Sequence, residues 1–536
     1  MTKTVVIGAG VGGLATAALL AREGHDVVVL ERLDSVGGRV GVVERNGFRF
    51  DTGPSWYLMP RVYDHFFAML GTTTAEQLEL RTLDPAYAVF PEPDADAGAR
   101  EPVTVPFGRD NVRAVFEALE PGAGARLDTY LDSAQSATGL AERRFLYNPF
   151  TRLRSLASRE VIRSSPRLFG LLGTSLESYV ARRFRHPVIR QILGYPAVFL
   201  ATRPSDAPAL YHLMSALDLD DGVLYPMGGF GAVVEAFASL ATHQGARIVT
   251  GADVVRIDTS AEPRGASGRM HTFVTGVTWH DRAGVEHFEA ADIVVSAADL
   301  HHTETQLLSG ADQTFNEAWW ERRVSGPGAV LVLLGVSGTL PELPHHSLFF
   351  AKDWDANFED IFGDAPRVPD PPSVYVCKPS ATDPSVAPRD HENLFVLIPV
   401  PADPQLGKGG TEGGGDARVE AIADAVIDQI GRWAAIPGLR ERIVVRETIG
   451  PRDFAEQFNS WHGGMLGPAH TLRQSAMFRA QNASKRVEGL YFAGATTAPG
   501  VGVPMCLISA ELVLKRIRGN RTAGPLAEPG LVRARS

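Results

Sequence analysis

The sequence predicts an α/β protein whose first domain is a parallel sheet covered by helices. Three observations near the N-terminus carry this prediction: a short apolar strand, a glycine-rich turn that opens a helix, and a second apolar strand that ends in an acid. The turn reads Gly8-Ala9-Gly10-Val11-Gly12-Gly13, and the acid is Glu31. This order of strand, turn, helix and strand is that of a Rossmann-like nucleotide-binding unit.

The glycines of this turn have separate tasks in such a unit. Gly8 permits the tight turn, Gly10 lets the backbone approach a pyrophosphate, and Gly13 lets the helix pack closely on the strand. The positive end of the helix then faces the phosphates. Glu31 lies at the distance at which a carboxylate accepts hydrogen bonds from ribose hydroxyls. NAD and FAD both carry this ribose, so these residues leave the choice of cofactor open.

Further elements follow along the chain. Apolar residues alternate around Asn46-Gly47 and predict a hairpin. A short amphipathic helix is predicted at Val62–Leu70, and residues 111–219 are largely helical in pattern. Residues 247–257 predict two strands around a turn, and the apolar runs 291–299 and 330–336 each predict a buried strand. The segments 247–257 and 291–299 suit the remaining strands of the nucleotide-binding sheet.

Composition excludes several classes of protein. The chain has 536 residues, of which 44% are hydrophobic and 21% charged, enough for two or more cores. A net charge of -10 argues against a nucleic-acid partner, which requires a basic face. The two cysteines, Cys377 and Cys506, make no disulfide framework and indicate a reducing compartment. Neither has a Cys/His set with metal spacing nearby, so no metal site is predicted.

One segment, Thr151–Gly173, stands apart from this acidic background. It carries five arginines and one acid, Glu160, with apolar residues between them. The pattern fits either a solvated helical face or a peripheral contact with an anionic membrane surface. No apolar run reaches the ~18 residues of a membrane-spanning helix, and the first strand begins too near Met1 for a signal peptide. We therefore expect a cytoplasmic protein that associates peripherally with a membrane.

The stretch Tyr491–Pro504 repeats the logic of the opening turn. A strand enters a glycine-rich turn, and an amphipathic helix, Leu507–Ile517, leaves it. Backbone N–H groups and a helix N-terminus are thereby presented to an electron-rich partner.

Together these segments resemble the FAD-dependent amine oxidase/desaturase superfamily. Its features are found at Gly8–Gly13, Glu31, Gly37-Gly38-Arg39, Phe50–Ser55 and Tyr491–Pro504. The glycine pair with arginine after the acid favours FAD over NAD. Within the superfamily, the chain most resembles the bacterial-type phytoene desaturases, over nearly its full length. This closer resemblance is carried by Ser175–Phe184, Leu224–Gly229, Phe458-Asn459, Leu472–Arg479 and Ala498–Pro504.

The resemblance implies a set of FAD-binding residues. They are Gly8, Gly10, Gly13, Glu31, Arg32, Gly38, Arg39, Gly53, Pro54, Val254, Gly494, Ala495, Gly502, Val503 and Pro504. The opening glycines would hold the pyrophosphate, Glu31 the adenosine ribose, and the backbone of Val254 the adenine. The residues from Gly494 to Pro504 would frame the flavin. Many FAD enzymes have an aspartate where Ala495 stands, and the sequence does not show what replaces it.

The resemblance also implies a domain organisation. A discontinuous Rossmann-like FAD-binding domain would comprise residues 1–90, 220–300 and 462–520. An interleaved α+β substrate region with a helical, membrane-facing part would comprise 91–219 and 301–461. Within these bounds, the glycine-rich residues 407–416 predict a mobile loop, and residues 521–536 predict a disordered tail.

The implied reaction is the stepwise desaturation of phytoene, through to lycopene, in a long apolar tunnel. The electron acceptor after FAD would be a quinone or oxygen. A carotenoid ketolase or cis–trans isomerase stays open as an alternative, and a flavin amine or protoporphyrinogen oxidase is a further one. No catalytic side chain is predicted: Asp51 is interpreted as a structural acceptor beside the Gly53-Pro54 turn, and His462 as a loop histidine.

Overall fold

A computed structural model describes residues 1–94, 98–151, 167–264 and 269–529. Its strands are β1 (Lys3–Ile7), β2 (Asp26–Glu31), β3 (Val42–Arg45), β4 (Phe48–Asp51), β5 (Leu80–Thr82), β6 (Tyr87–Pro91), β7 (Val103–Val105), β8 (Leu224–Pro226), β9 (Arg247–Thr250), β10 (Asp253–Arg264), β11 (Arg269–His280), β12 (Glu286–Ala290), β13 (Ile293–Ser296), β14 (Gly328–Ser337), β15 (His346–Phe350), β16 (Val374–Cys377), β17 (His391–Val400), β18 (Ile443–Ile449), β19 (Val487–Glu488) and β20 (Leu490–Phe492).

Its helices are α1 (Val11–Arg22), α2 (Pro60–Met69), α3 (Thr74–Gln77), α4 (Arg109–Leu119), α5 (Ala123–Ala141), α6 (Leu176–Ala181), α7 (Pro187–Gly194), α8 (Pro196–Phe199), α9 (Met214–Leu219), α10 (Gly229–His243), α11 (Leu300–Gln306), α12 (Glu317–Trp320), α13 (Trp354–Phe362), α14 (Ala417–Trp433), α15 (Pro451–Phe458) and α16 (Val503–Ile517). Residues 167–172 are also helical.

The first sheet is parallel and has the strand order β20-β13-β1-β2-β9. Its strands are almost wholly apolar because both faces are covered. Val6 and Val29 pack under α1, α10 and α16 on one face. Val5 and Val28 face the antiparallel sheet β10-β11-β12 on the other. The predicted Rossmann-like sheet is thereby confirmed.

Helix α16 differs from its prediction as an amphipathic helix. It begins at Val503, and nearly all of its residues down to Lys515 are buried. Packing against α1 and α2 covers faces that a surface helix would leave in water. A short sequence window cannot show that a helix is enclosed on several sides.

The second sheet has seven strands in the order β18-β14-β17-β16-β15-β6-β7. The predicted strand at 330–336 lies inside β14, which pairs with β17 and β18 on its two sides. One face of β14 packs under α14. Leu331 and Leu333 on the opposite face pack with Phe48 and Phe395. Strand β6 pairs with β15 and so belongs to the second sheet, and the domain bounds stay a prediction.

A helical region formed by α4–α9 packs against β6, β7 and β15 of the second sheet. In the part of residues 111–219 that the structure describes, it agrees with the largely helical pattern of the sequence. Most of the segment Thr151–Gly173 lies outside the described residues. In its described part, the Phe169 side chain is exposed, whereas Leu171 is buried. Among the described helices, none combines the length and the apolar character needed to cross a bilayer.

The glycine-rich residues 407–416 pack closely on their neighbours. A Cβ atom on Gly409 would lie 1.9 Å from the carbonyl oxygen of Thr448. The Gly409 and Gly410 amides donate to Asp453 and Thr448, at 2.7 and 2.9 Å. Close backbone approach therefore accounts for these glycines, and the mobility of the loop stays a prediction.

The tail also differs from the prediction in its first part. Residues 521–529 run along α16, where Leu526 is buried and its amide donates to Glu511 at 2.6 Å. The Lys515 ammonium donates to the carbonyl oxygen of Thr522 at 3.3 Å. Residues 530–536 lie outside the described chain.

Candidate active site

One cavity of about 550 Å³ is lined by residues from the first sheet, the second sheet and the helical region. Apart from Gly13, every residue predicted to bind the cofactor lines it: Gly8, Gly10, Glu31, Arg32, Gly38, Arg39, Gly53, Pro54, Val254, Gly494, Ala495, Gly502, Val503 and Pro504. Gly13 lies behind this wall. The structure thus brings together the opening and closing turns, which lie at opposite ends of the chain.

Three glycines of the opening turn, Gly8, Gly12 and Gly13, cannot be replaced by a larger residue without strain or a clash. Gly8 has a φ of +94°, and a Cβ atom on Gly13 would lie 1.9 Å from the carbonyl oxygen of Gly8. A Cβ atom on Gly12 would lie 2.8 Å from the Cα atom of Gly494. The opening and closing turns therefore touch each other, and their glycines permit that contact.

Glu31 is buried where β2 ends. One carboxylate oxygen accepts a hydrogen bond from the amide of Ala9 at 2.6 Å, and the other accepts one from the amide of Leu33 at 2.9 Å. Burial raises the pKa of this carboxyl group, and the two amide hydrogen bonds act in the opposite direction. Glu31 is thus fixed beside the opening turn, at the position predicted for a ribose-binding acid.

The two arginines of the predicted site differ in their contacts. Arg39 donates to Asp299 at 3.3 Å and to Ser460 at 3.0 Å, at the cavity wall. Arg32 donates to the carbonyl oxygens of Glu456 and Gln457, at 2.6 and 2.5 Å. The guanidinium of Arg32 is therefore engaged at the end of α15, and only part of this residue faces the cavity.

The closing turn presents backbone at the start of α16. Gly494 and Gly502 have φ values of +99° and +115°, which favour glycine. The amide of Gly494 donates to Ser509 at 3.0 Å. Gly502 precedes α16, where Val503 and Pro504 are the first residues of the helix and line the cavity.

Arg479 secures this turn from behind, a role that sequence reasoning missed. Its side chain is buried, and its guanidinium donates to four carbonyl oxygens. These belong to Ala495 at 2.7 Å, Thr497 at 3.0 Å, Pro468 at 3.2 Å and Gln474 at 3.4 Å. Burial lowers the pKa of Arg479 to about 10. The arginine of the Leu472–Arg479 motif thus ties the closing turn, at Ala495 and Thr497, to the backbone at Pro468 and Gln474.

The rest of the cavity is mainly apolar. Aromatic and aliphatic side chains from residues 195–200, α9, β15, α13 and β17 line it, namely Tyr195, Val198, Phe199, Leu200, Met214, Leu217, Leu348, Phe350, Trp354, Phe358, Ile361, Phe362, Phe395 and Leu397. Trp56 stands among them and contacts Tyr195 and Phe199 at ring-centroid distances of 5.9 and 5.7 Å. This lining is continuous with the glycine-rich part.

A buried carboxyl group supports the apolar wall. Asp218 accepts the hydroxyl groups of Tyr195 and Tyr87 at 2.6 and 3.3 Å. Burial raises the pKa of Asp218 to about 7. At neutral pH this group is therefore partly protonated, although a free aspartate is fully ionised.

Asp218→Asn should change how stability depends on pH. A carboxyl group whose pKa rises on folding stabilises the fold below its unfolded pKa and loses that contribution as pH rises to its folded value. From pH 5 to 7 the wild type should lose about 2 kcal/mol through Asp218. The amide of the variant stays neutral, so urea titrations between pH 5 and 8 should show a flatter profile. Parallel profiles for the two proteins would contradict this assignment, and Glu76→Gln, at an exposed carboxylate, is the control.

A cluster of three polar side chains lies behind Trp56, and the sequence analysis did not predict it. One ligand atom from each of His345, His346 and Cys377 lies within 4.8 Å of the others, so these side chains could hold a metal ion. Cys377 is distant from His346 in the sequence but pairs with it across β15 and β16. The sequence expectation of no metal-ligating set missed this cluster because strand register, not spacing, creates it. Burial raises the pKa of the Cys377 thiol to about 12.

Asp51 and His462 lie away from the main cavity lining. Asp51 accepts the amides of Phe230 and Gly231 at 2.7 and 3.0 Å. It is therefore a structural acceptor as predicted, although it serves the start of α10 and not the Gly53-Pro54 turn. His462 lies in a turn with φ of +55° and packs on Trp461, which agrees with its interpretation as a loop histidine.

Comparison with known proteins gives consistent matches over the whole fold. A family model described as flavin containing amine oxidoreductase matches residues 11–517. The chain is 40% identical to a carotenoid 3,4-desaturase of Haloarcula japonica over 506 residues, covering 94% of this chain and 96% of that protein. It is 33% identical to a zeta-carotene-forming phytoene desaturase of Myxococcus xanthus over 517 residues, covering 96% and 93%.

Solved structures share the fold at low sequence identity. An oxidoreductase from Methanosarcina mazei has a TM-score of 0.59 and 16% identity, covering 96% of this chain and 100% of that chain. Putrescine oxidase bound to putrescine has a TM-score of 0.57 and 14% identity, covering 97% and 99%. At these identities the likeness concerns architecture alone.

Proposed function

Because the chain belongs to the flavin containing amine oxidoreductases and, within them, to the carotenoid desaturases, we propose that it desaturates a carbon–carbon single bond of a long polyene. The resemblance predicted from the sequence and the FAD cofactor are confirmed by these relationships. The observation that carries the proposal is the cavity itself, in which a glycine-rich cradle continues into an apolar lining.

The residues of the cradle fit FAD. Gly8, Gly12 and Gly13 let the opening turn pack tightly on the protein, and Gly10, which lines the cavity without a side chain, lets the backbone approach a pyrophosphate. Glu31 supplies a buried carboxylate at one end for the adenosine ribose. The start of α16 supplies a helix N-terminus at the other end, where partial positive charge favours an electron-rich ring. When bound, FAD accepts the hydride that leaves one carbon of the substrate.

The apolar lining suits a hydrocarbon with no polar groups. Tyr195, Phe199, Phe350 and Trp354 exclude water and supply buried area, which is the main source of affinity for such a substrate. The same enclosure holds the reacting carbons beside the cradle. Desaturation releases a hydride and a proton from adjacent carbons, and the chain contributes the positioning of both.

Two polyene substrates are candidates. The conversion of phytoene stepwise to lycopene is the reaction implied by the sequence resemblance. The higher identity to the Haloarcula japonica protein, 40% against 33% for the Myxococcus xanthus protein, favours 3,4-desaturation of a carotenoid. We take 3,4-desaturation as the favoured reaction. We further propose that the substrate is taken from a membrane surface and that a quinone or oxygen receives the electrons.

A reconstituted assay distinguishes these reactions. Purified protein with FAD is incubated with liposomes that contain either phytoene or lycopene, under air or with a quinone under argon. For 3,4-desaturation we expect the lycopene bands to move to longer wavelength, because new double bonds join the conjugated system, while phytoene stays unchanged. New visible bands from phytoene would instead support the second candidate. Oxidation of putrescine without change to either polyene would overturn the proposal, and liposome flotation tests the membrane contact.

A further inference from the structure

We propose that the imidazole of His470 is a hydrogen-bonding contact of the bound flavin. This assignment goes beyond the known motifs and rests on the FAD cofactor, not on the identity of the polyene. His470 lies between the Gly467 turn and the Leu472–Arg479 motif, and its side chain lines the cavity.

The first observation is an unpaired ring in a buried position. The His470 residue is 3% exposed, and neither Nδ1 nor Nε2 has a hydrogen-bond partner among the described residues. Buried polar atoms in folded proteins are nearly always paired, because an unpaired one loses its hydration without compensation. A partner that arrives with a ligand removes this penalty.

The second observation is the position of the ring against the closing turn. A Cβ atom on Gly500 would lie 2.1 Å from His470 Nε2, so this ring nitrogen lies directly over the backbone of Gly500. Gly500 lies between Gly494 and Gly502, the two turn glycines that line the cavity. The imidazole is also stacked on Tyr211, with ring centroids 5.9 Å apart and planes inclined by 22°. The ring is therefore held in place at the flavin end of the cavity.

The chemistry of the polyene and of the flavin shows which of the two can pair with His470. A carotene has no atom that can donate or accept a conventional hydrogen bond, so it leaves both imidazole nitrogens unpaired. The flavin has ring nitrogens, carbonyl oxygens and ribityl hydroxyls, all of which can pair with an imidazole. The flavin is thus the component of the proposed complex that satisfies His470.

The imidazole meets the flavin in its neutral form. Burial and the nearby Arg479 guanidinium both lower the pKa of His470, to well below its ordinary value. A neutral imidazole offers one donor and one acceptor. It can therefore offer the flavin one donor and one acceptor beside Gly500.

The test compares His470→Phe with His470→Gln and with the control His212→Phe. His212 is also buried, but its nitrogens already pair with Ser133 and with the carbonyl oxygen of Ala209, at 2.7 and 2.8 Å. FAD affinity is measured by fluorescence titration without substrate, together with the visible spectrum and the reduction potential of the bound flavin.

We expect His470→Phe to bind FAD about tenfold more weakly, with an altered visible spectrum and a more negative potential. His470→Gln should stay within about threefold of wild type, because its amide can still pair. His212→Phe should leave the affinity, spectrum and potential unchanged. Wild-type values in His470→Phe would overturn the proposal, even in a protein that desaturates polyenes.

A measurement on the wild type keeps the proposal testable if His470→Phe does not fold. In protein with ¹⁵N-labelled imidazoles, addition of FAD should shift the NMR resonances of the His470 ring nitrogens. These resonances are assigned by their absence from the spectrum of His470→Gln. Resonances that do not move on FAD binding would overturn the proposal. Loss of polyene turnover with intact flavin contacts would count against the proposed function alone.

Discussion

Gly13→Ala is expected to bind FAD at least about 100-fold more weakly than the wild type and to lose about 3 kcal/mol of stability. Alanine alone favours a helix over glycine by about 1 kcal/mol, so propensity predicts the opposite sign. The steric clash of the new Cβ atom outweighs this helix propensity. The new Cβ atom would lie 1.9 Å from the carbonyl oxygen of Gly8 and 3.2 Å from the Cβ atom of Ala297. Strand β1 and helix α1 must separate, which displaces the opening turn.

The matched control is Gly431→Ala, at another helical glycine. A Cβ atom on Gly431 would lie 3.6 Å from the carbonyl oxygen of Ile436, which is an ordinary contact. This variant should gain up to about 1 kcal/mol and bind FAD normally. Urea unfolding and FAD titration measure both quantities. Equal FAD affinity in the two variants would show that the close packing of Gly13 is not needed for the cofactor.

The glycine-rich half of the candidate site could be predicted because its pattern is local in sequence. A strand, three glycines, a helix and an acid follow one another within a short stretch, and each has a backbone reason to be there. The closing turn follows the same logic around Gly494 and Gly502. The contact of Gly12 with Gly494 then requires no signal beyond the parallel pairing of β1, β13 and β20.

The apolar half could not be predicted to the same depth. Its lining comes from residues 195–200, α9, β15, α13 and β17, where an apolar residue facing a cavity looks the same in sequence as one facing a core. Phe350 and Leu348 are examples, since both also belong to a buried cluster. The His345, His346 and Cys377 cluster was missed for a related reason, because the register of two strands created it.

Glycine-rich and terminal segments were interpreted from their composition, and composition contains no information about packing against distant parts of the chain. Gly409 approaches Thr448 too closely for a side chain, and Gly410 is hydrogen-bonded to the same residue, although both glycines suit a free loop. Leu526 is an apolar residue that anchors the tail on α16, and a single leucine gives little pattern. Burial by a distant part of the chain decided the structure of both segments.

Arg479→Met is expected to lower stability by about 3–4 kcal/mol. Methionine fills much of the same volume but leaves the carbonyl oxygens of Ala495, Thr497, Pro468 and Gln474 without this donor. These oxygens lie in and beside the closing turn, so the loss should also weaken FAD binding. Urea unfolding gives the first effect and fluorescence titration the second. Because these partners are neutral carbonyls, the destabilisation should change little with ionic strength.

Arg479→Lys separates charge from geometry. Lysine keeps the cation but has a single ammonium group, which cannot reach carbonyl oxygens spread around a planar guanidinium. If the arrangement of the donors matters, the lysine variant should lose at least about 2 kcal/mol of stability. Its stability should then lie between those of the wild type and the methionine variant. A lysine variant as stable as the wild type would mean that the charge alone holds the turn. A methionine variant of unchanged stability would mean that the four hydrogen bonds contribute nothing net. Because the four acceptors are neutral carbonyls in different directions, the geometry favours the fork of donors as the stabilising feature.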